Sequence, residues 1–150
     1  GQGSIQRDPE GGASGTPGTF NYGYGNAVSL TAQPQAGYSF AFWSGACEGQ
    51  GSSCSLTMDG NKETSATFHP LVRVESDAFV FVNSSPAGIN TCNPLVGAGT
   101  CTAPFPVNTI VTLTMNSAVT VSQVTCAPEQ PNPTTTCTFT VTEPVTVLLD

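Results

Sequence analysis

The stretch Gly25-Asn-Ala-Val-Ser-Leu-Thr-Ala-Gln-Pro34 is the clearest structural signal in this chain of 150 residues. Its apolar residues Val28, Leu30 and Ala32 alternate with polar ones. This alternation is typical of a β-strand with one buried face and one face in water. β-branched and threonine-rich strands of this kind favour antiparallel sheets, so the stretch is predicted to lie in one.

The same pattern occurs a second time further along the chain. One offset (111 − 28 = 113 − 30 = 114 − 31 = 137 − 54 = 83) relates Val28, Leu30, Thr31 and Cys54 to Val111, Leu113, Thr114 and Cys137. Nearer the start, Pro9 matches Pro86 at an offset of 77 (86 − 9 = 77), so the second copy has six more residues (83 − 77 = 6), in the loop that contains Cys92 and Cys101. A fixed internal period predicts modules that each have a small core of their own.

Two tandem all-β modules are therefore expected, at residues 1–70 and 71–150, with the boundary at His69-Pro70-Leu71. No window of eleven or more residues keeps the apolar spacing of a helix, and at most a helical turn is expected near residues 36–43. Modules of this size have marginal cores and commonly need staples, for which the six cysteines are available.

Turn chemistry predicts one further hairpin. Asp59-Gly-Asn61 separates two alternating stretches, residues 54–58 and 64–68. Because Gly and Asn tolerate the positive φ of a tight reversal, these two stretches are expected to pair with each other.

Composition excludes several classes of partner. The chain has three basic and ten acidic residues, a net charge of −7, and its cations Arg7, Lys62 and Arg73 are far apart in sequence. Binding to nucleic acids or to anionic membranes requires clustered cations, so neither is expected. No apolar run approaches the roughly 18 residues of a membrane span, so insertion of this segment into a membrane is not expected.

Four stretches of the first copy together resemble the divergent internalin B-repeat family. They are residues 25–34, 36–47, 54–59 and 64–68, which carry V-x-L-x-A-x-P, G-x-x-F-x-x-W, a C…C-x-x-T-M loop and a T-A-T-F-like ending. Residues 3–68 follow the family pattern well, whereas residues 79–149 keep the V-T-L-T strand and the cysteine loops but lack the tryptophan and the ending. The resemblance implies small β-grasp-like modules of secreted or surface-anchored bacterial proteins, with no catalytic residues.

Six cysteines admit fifteen pairings. The repeat alignment selects Cys47 with Cys54, Cys92 with Cys101 and Cys126 with Cys137. The alternatives are a zinc site, which favours C-x₂₋₄-C spacing and four ligands, and a redox dithiol, which needs C-x-x-C; neither spacing is present. Structural disulfides, and hence an oxidising compartment, are expected.

No catalytic residue, metal site or cofactor is predicted. His69 is the only histidine, and no nucleophile motif or glycine loop accompanies it. Calcium at Asp59-Gly-Asn-Lys-Glu63 is disfavoured because Lys62 lies among the acidic ligands. An exposed histidine and solvated carboxylates are the expected alternatives.

Aromatic residues are concentrated in the first copy, which holds all three tyrosines and the tryptophan. Tyr22, Tyr24 and Trp43 are candidate platforms for stacking on sugars, since ring faces pack on the apolar faces of pyranoses. The alternative is that they form the core of a β module; it is favoured for Trp43, while Tyr22 and Tyr24 lie in the Gly-rich Asn21-Tyr-Gly-Tyr-Gly25.

These observations predict a non-catalytic, extracellular or cell-surface structural module pair of a bacterial protein, acting as a spacer, adhesion or filament-assembly element. The expected partners are neighbouring copies or domains of the same surface assembly. An edge strand or a terminus such as Pro144–Leu149 is expected to pair with a neighbouring chain, because few charges protect the edges. The alternatives are a glycan-binding module and the accessory domain of a secreted hydrolase.

Overall fold

The chain is described by a computed structural model that covers residues 2–129 and 131–150. These residues fold into two compact units, of which the first ends at Phe68 and the second begins at His69. Two separate domains at 1–70 and 71–150 stay a prediction, and each unit is described by itself below.

The first unit is built from short strands around one three-stranded sheet. Its strands are β1 (Gly3–Asp8), β2 (Gly12–Ala13), β3 (Phe20–Asn21), β4 (Ala27–Pro34), β5 (Tyr38–Gly45), β6 (Ser53–Thr57) and the beginning of β7 (Thr64–Ser76). The sheet has the order β1-β4-β6, β2 pairs with β3, and β5 pairs with β7. The alternation seen at residues 28–32 places three apolar side chains of β4 on the buried face.

The core of the first unit is small. Its buried members are Val28, Leu30, Ala32, Trp43, Cys47, Cys54 and Phe68. Phe40 packs against this cluster, with its ring centroid 5.5 Å from that of Trp43 and 6.3 Å from that of Phe68. The aromatic rings supply much of the buried area in a unit with few large aliphatic side chains.

The second unit contains the rest of β7 and eight further strands. They are β8 (Val82–Ser85), β9 (Asn90–Asn93), β10 (Ala98–Thr100), β11 (Thr102–Pro104), β12 (Thr109–Val119), β13 (Val121–Ser122), β14 (Thr134–Val141) and β15 (Val145–Leu149). A short 3₁₀ helix, Pro94–Val96, lies between β9 and β10. The strands form two sheets, with the orders β10-β9-β8-β12-β14 and β11-β7-β15-β13.

The core of the second unit is larger and more aliphatic than that of the first. Valines, Ile89, Leu113 and Leu149 are its fully buried members, together with Cys92 and Cys137. Its strands pair antiparallel with one exception, which differs from the predicted arrangement: β15 runs parallel to residues Val72–Ser76 of β7. A parallel pair needs a long crossover, which the whole second copy provides.

The central strands of the two units have the same neighbours in the same register. In the first unit Val28 lies opposite Leu56 in β6, and in the second Val111 lies opposite Phe139 in β14. Both pairs are related by the sequence offset of 83 (111 − 28 = 139 − 56 = 83). The duplication seen in sequence is therefore a duplication of strand pairing.

The offset of 77 found nearer the start of the chain also relates paired strands of the two units. Ile5 of β1 lies opposite Ala32, and Val82 of β8 lies opposite Met115. Ile5 and Val82 differ by 77 (82 − 5 = 77), whereas Ala32 and Met115 differ by 83 (115 − 32 = 83). The six added residues of the second unit thus lie between two strand pairings that both units share, in the part of the chain that forms β9 to β11.

Three local predictions were wrong. The stretches around Asp59-Gly-Asn61 do not pair with each other, because β6 joins β4 and β7 joins β5. Residues 38–45 form β5 and not a helical turn, and His69, for which an exposed position was expected, lies half-buried within β7. Tertiary partners override the local signals, since a turn residue specifies a reversal but not the strand that the chain meets next.

The predicted fold class is confirmed in its main features. The described part of the chain is nearly all β, with several sheets and three disulfides that close short loops. Among the described residues, no helix reaches the length and hydropathy of a membrane span.

Candidate functional site

The disulfides are placed by the duplicated sheets. Cys54 lies in β6 and bonds to Cys47, and Cys137 lies in β14 and bonds to Cys126. Cys47, Cys54 and Cys137 are at most 1% exposed. The sulfur bridges therefore belong to the cores that the two units bury, at matching positions in both units.

The third disulfide occurs only in the second unit. Cys92 of β9 bonds to Cys101, nine positions further along, across the segment that carries the 3₁₀ helix and β10. The first unit has no cysteine in the corresponding loop. All six cysteines are bonded, in the pairs that the repeat alignment selects.

The lengths of the loops that the disulfides close determine how much each bridge stabilises the folded state. The partners are separated by 7, 9 and 11 positions. In the chain-entropy description, loops of this length stabilise the folded state by about 2.5–3 kcal/mol per bridge. For units this small, that contribution is comparable to what the hydrophobic core supplies after entropy is subtracted.

Trp43 lies in the core and not on the surface. Its side chain is 1% exposed, and its Nε1–H donates a hydrogen bond to the carbonyl oxygen of Gly51 at 2.6 Å. Gly51 lies in the loop that Cys47 and Cys54 close. The indole thus anchors the disulfide loop, and it presents no ring face on which a sugar could stack.

Tyr22 and Tyr24 have different surroundings. The hydroxyl of Tyr22 donates hydrogen bonds to the carbonyl oxygens of Pro9 and Glu10 at 3.0 and 3.1 Å, and its ring is half-buried. Tyr24 is 87% exposed. The structure therefore does not bring the three candidate stacking residues to one surface: Trp43 is inside, Tyr22 holds a loop, and Tyr24 alone offers an open ring.

The acidic residues considered for calcium make a salt bridge instead. The Nζ of Lys62 lies 2.6 Å from the Oδ1 of Asp59. The hydrogen bond from Lys62 and the charge of its ammonium group hold the pKa of Asp59 below its ordinary value. Because a lysine ammonium occupies the carboxylate, this turn does not offer the array of free oxygen ligands that calcium prefers.

No cluster of three or more His, Cys, Asp or Glu side chains arranged to hold a metal ion occurs in residues 2–129 and 131–150. His69 lies half-buried within β7.

Arg7 makes two contacts within the first unit. Its guanidinium carbon lies 3.3 Å from the ring centroid of Phe20, and its Nε–H donates a hydrogen bond to the carbonyl oxygen of Glu10. These contacts join the end of β1 to β3, through Phe20, and to the loop after β1, through Glu10.

The sequence reasoning did not single out Ile110, one of several exposed apolar residues of the second unit. Ile110 of β12 is 64% exposed, while its neighbour Val111 is fully buried. The signal was present, because Ile110 is out of phase with the inward series at 111, 113 and 115. Val107, which lies just before β12, is 41% exposed.

Comparison with known proteins assigns a family to the first unit. Residues 4–71 match the family model of the divergent InlB B-repeat domain. The resemblance found in sequence is thus confirmed for this segment, and the match does not extend to the second copy. Neither a search of curated proteins nor a search of solved structures found a match to the chain.

Proposed function

We propose that the chain, whose residues 4–71 carry a divergent InlB B-repeat domain, is a non-catalytic structural module pair of a bacterial secreted or surface protein. A domain of this kind fits a bacterial surface or structural module. The finer role is that of a spacer and assembly element, in which folded β units are strung along one chain and present strand edges to their neighbours.

The observation that carries the proposal is the repeated register. The same three-stranded pairing, β1-β4-β6 and β8-β12-β14, is built twice, and each copy has a disulfide at the same position of the third strand. Units that close their sulfur bridges locally can be repeated along a chain without a cross-link between copies. This organisation suits a protein whose task is extension and display.

The side chains support a passive role. The cysteines of both units, Trp43 of the first unit and most of the large aliphatic residues of the second are used in packing. Asp59 with Lys62 and Arg73 with Glu75 form exposed ion pairs. Exposed pairs of this kind are typical of a solvated surface, and they contribute little to stability.

The disulfides also support an extracellular location. All six cysteines are paired, and such bonds persist in the medium, at the cell surface or in the periplasm. The InlB B-repeat match points to the same compartments. The partners that we propose are neighbouring copies or domains of the same surface assembly.

Labelling of intact cells tests this proposal. In the bacterium that carries the gene, a membrane-impermeant amine reagent is expected to modify the protein at its only lysine, Lys62, and alkylation without reductant is expected to add no mass to its cysteines. A cytoplasmic protein in the same cells provides the control for leakage. Six alkylated thiols, or labelling no greater than that of the cytoplasmic control, would contradict an extracellular structural role.

A further inference from the structure

We propose that the free edge of Thr64–Phe68 in the first unit is a docking edge for one additional β-strand. The strand adds parallel to Thr64–Phe68 and enters from polypeptide joined directly to the amino end of the unit. The second unit shows the completed form of the same arrangement.

In the second unit, the last strand is paired on both sides. β15 has β13 as one neighbour and residues Val72–Ser76 of β7 as the other, the latter in parallel register. The side chains of Val72 and Val74 are 0% and 2% exposed, so this added strand also closes the core. The terminus at 144–149, which the sequence suggested as an edge for a neighbouring chain, is therefore already occupied.

In the first unit, the corresponding strand is Thr64–Phe68. Like β15, it is the last strand of its unit, and it places Ala66 and Phe68 towards the core as β15 places Val147 and Leu149. β5 pairs with β7 in this unit, and the Ala46 N–H donates to the Glu63 carbonyl at 2.8 Å.

Backbone geometry identifies which groups of this strand are free to accept a neighbour. Alternate residues of a strand direct their backbone groups to opposite edges. Because Glu63 bonds to β5, the odd-numbered residues face β5, and Thr64, Ala66 and Phe68 face the other edge. Within residues 2–129 and 131–150, no strand pairs with that edge of Thr64–Phe68, since β11 and β15 both pair with β7 beyond residue 70.

The core of the first unit is correspondingly open. Five of its apolar side chains are only partly buried, whereas their counterparts in the second unit are at most 9% exposed. The five pairs, each with the first-unit residue named first, are Ile5 and Val82, Tyr22 and Phe105, Tyr38 and Val121, Leu56 and Phe139, and Ala66 and Val147. These positions are thus buried in the unit that has the parallel strand and only partly buried in the unit that lacks it.

An open groove lies at the free edge. Its volume is about 410 Å³, and it is lined by Gln2, Gly3, Ala66, Thr67 and Phe68. It lies between the amino end of the unit and its last strand. A strand that continues into Gly3 from the amino-terminal side would enter beside this groove.

The repeat offset gives the position at which the proposed strand would lie. At the offset of 77 that relates Ile5 to Val82, the residues that correspond to Val72–Ser76 fall at positions −5 to −1 (72 − 77 = −5 and 76 − 77 = −1), ahead of residue 1. In the second unit the strand Val72–Ser76 likewise directly precedes the stretch that matches the first unit, which begins at Val80, the counterpart of Gly3. The occupant is therefore an attached strand with buried apolar residues at alternate positions, like Leu71-Val-Arg-Val-Glu-Ser76.

Hydrogen exchange on an extended chain tests this inference. Residues Leu71–Phe79 are copied in front of Gly3 in place of the first two residues, because Val80 is the counterpart of Gly3 (80 − 3 = 77). Amide exchange of Thr64, Ala66 and Phe68 is expected to slow by at least about tenfold, as one new hydrogen bond per amide gives. The amides of Ser65 and Thr67, which face β5, are expected to change little.

A matched extension with proline at the two positions copied from Arg73 and Glu75 is the control. Val74 donates its N–H to the Cys101 carbonyl, so Arg73 and Glu75 are the residues whose N–H groups face the parallel strand, and proline at their positions cannot donate to the ladder. This control is expected to leave the exchange of Ala66 unchanged, and the amide of Val147 reports in all versions that the second unit is folded. Unaltered exchange of Ala66 in the extension without proline, or equal slowing by both extensions, would overturn the proposal. Slowing by the free peptide at equimolar concentration would also overturn it, since the edge would then belong to a separate chain. The test uses purified protein and is independent of the proposed location and role.

Discussion

Leu30 lies directly opposite Cys54 across the β4–β6 pair, and this pairing recurs in the second unit, where Leu113 lies opposite Cys137. In both units a buried leucine of the central strand thus packs beside a buried half-cystine. The relationship joins the two features that define the repeat, the alternating strand and the sulfur bridge, at one position of the register.

The first prediction concerns the range over which a disulfide acts. Replacing Cys47 and Cys54 together with alanine is expected to lower the free energy of unfolding of the first unit by about 2.5–3 kcal/mol. The second unit is expected to be unaffected, because its own bridges remain closed. Residue-resolved hydrogen exchange measures both units in one sample, and the double replacement of Cys126 and Cys137 is the matched control. Equal destabilisation of both units by either replacement would contradict local closure.

The second prediction concerns the core. Leu113→Ala is expected to cost about 2–5 kcal/mol, because Leu113 is fully buried among aliphatic side chains. Ile110→Ala, in the same strand but 64% exposed, is expected to change stability by no more than about 0.5 kcal/mol. Denaturant unfolding followed by resonances of the second unit distinguishes the two, and comparable losses would show that β12 does not bury the predicted face.

The third prediction uses two glycines that have the same backbone conformation. Gly45 and Gly49 have φ of +77° and +81°. A Cβ at Gly45 would collide with the carbonyl oxygen of Glu63, whereas a Cβ at Gly49 meets open space. Gly49→Ala is therefore expected to cost about 1–2 kcal/mol for the left-handed conformation alone, and Gly45→Ala clearly more. Thermal unfolding monitored by Trp43 fluorescence measures both, and equal midpoints would count against the close approach of β5 and residue 63.

The fourth prediction separates the structural role of Trp43 from glycan binding. Since the indole is 1% exposed and hydrogen-bonded to Gly51, its emission is expected to be blue-shifted and insensitive to iodide. Addition of a glycan panel is expected to leave that emission unchanged. Tyr24→Ala, which removes the exposed ring, is the control for ligand binding at the surface. Strong iodide quenching in the folded state, or saturable changes on addition of a glycan, would favour the carbohydrate-binding alternative.

The fifth prediction concerns pH. The Lys62 ammonium holds the pKa of Asp59 below its ordinary value of 3.8 in the folded chain. The carboxylate form therefore favours folding: its contribution is present above about pH 4 and is lost as pH falls through the lowered pKa. The effect on stability is small because the pair is exposed. Carboxyl-carbon titration by NMR measures the pKa, and Lys62→Met is expected to return it upwards; an unchanged pKa in that variant would contradict the assigned cause.

The sequence predicted the features that depend on periodicity. Alternation at Val28, Leu30 and Ala32 predicted a half-buried strand, and the common offset to Leu113 predicted a second copy of it, because side chains two apart in a strand share a face. The disulfide pairs followed from the same alignment. The alternating strand and the disulfide of the third strand are local features that occur in both copies, so the sequence shows each of them twice.

The features that depend on which strands meet were not predicted. Asp59-Gly-Asn61 signals a reversal, yet β6 and β7 join different partners. The parallel pairing of Val145–Leu149 with Val72–Ser76 joins segments that are far apart in sequence, and no local pattern encodes it. The core position favoured for Trp43 is confirmed by its burial, but its hydrogen bond to the Gly51 carbonyl was not predicted, because it depends on tertiary packing.

The most direct test is the register of the two central strand pairs in solution. The Met58 N–H donates to the Asn26 carbonyl and the Ala32 N–H to the Ser52 carbonyl, so Leu30 and Cys54 form a hydrogen-bonded pair and their neighbours Ser29 and Ser55 a close, non-hydrogen-bonded one.

A nuclear Overhauser experiment on the whole chain is therefore expected to show a strong Hα–Hα contact between Ser29 and Ser55. A second contact is expected between Thr112 and Thr138, whose hydroxyl oxygens lie 2.8 Å apart. Contacts displaced by one residue in either unit, or contacts that join Ser29 to Thr138, would contradict a β unit that is duplicated along the chain.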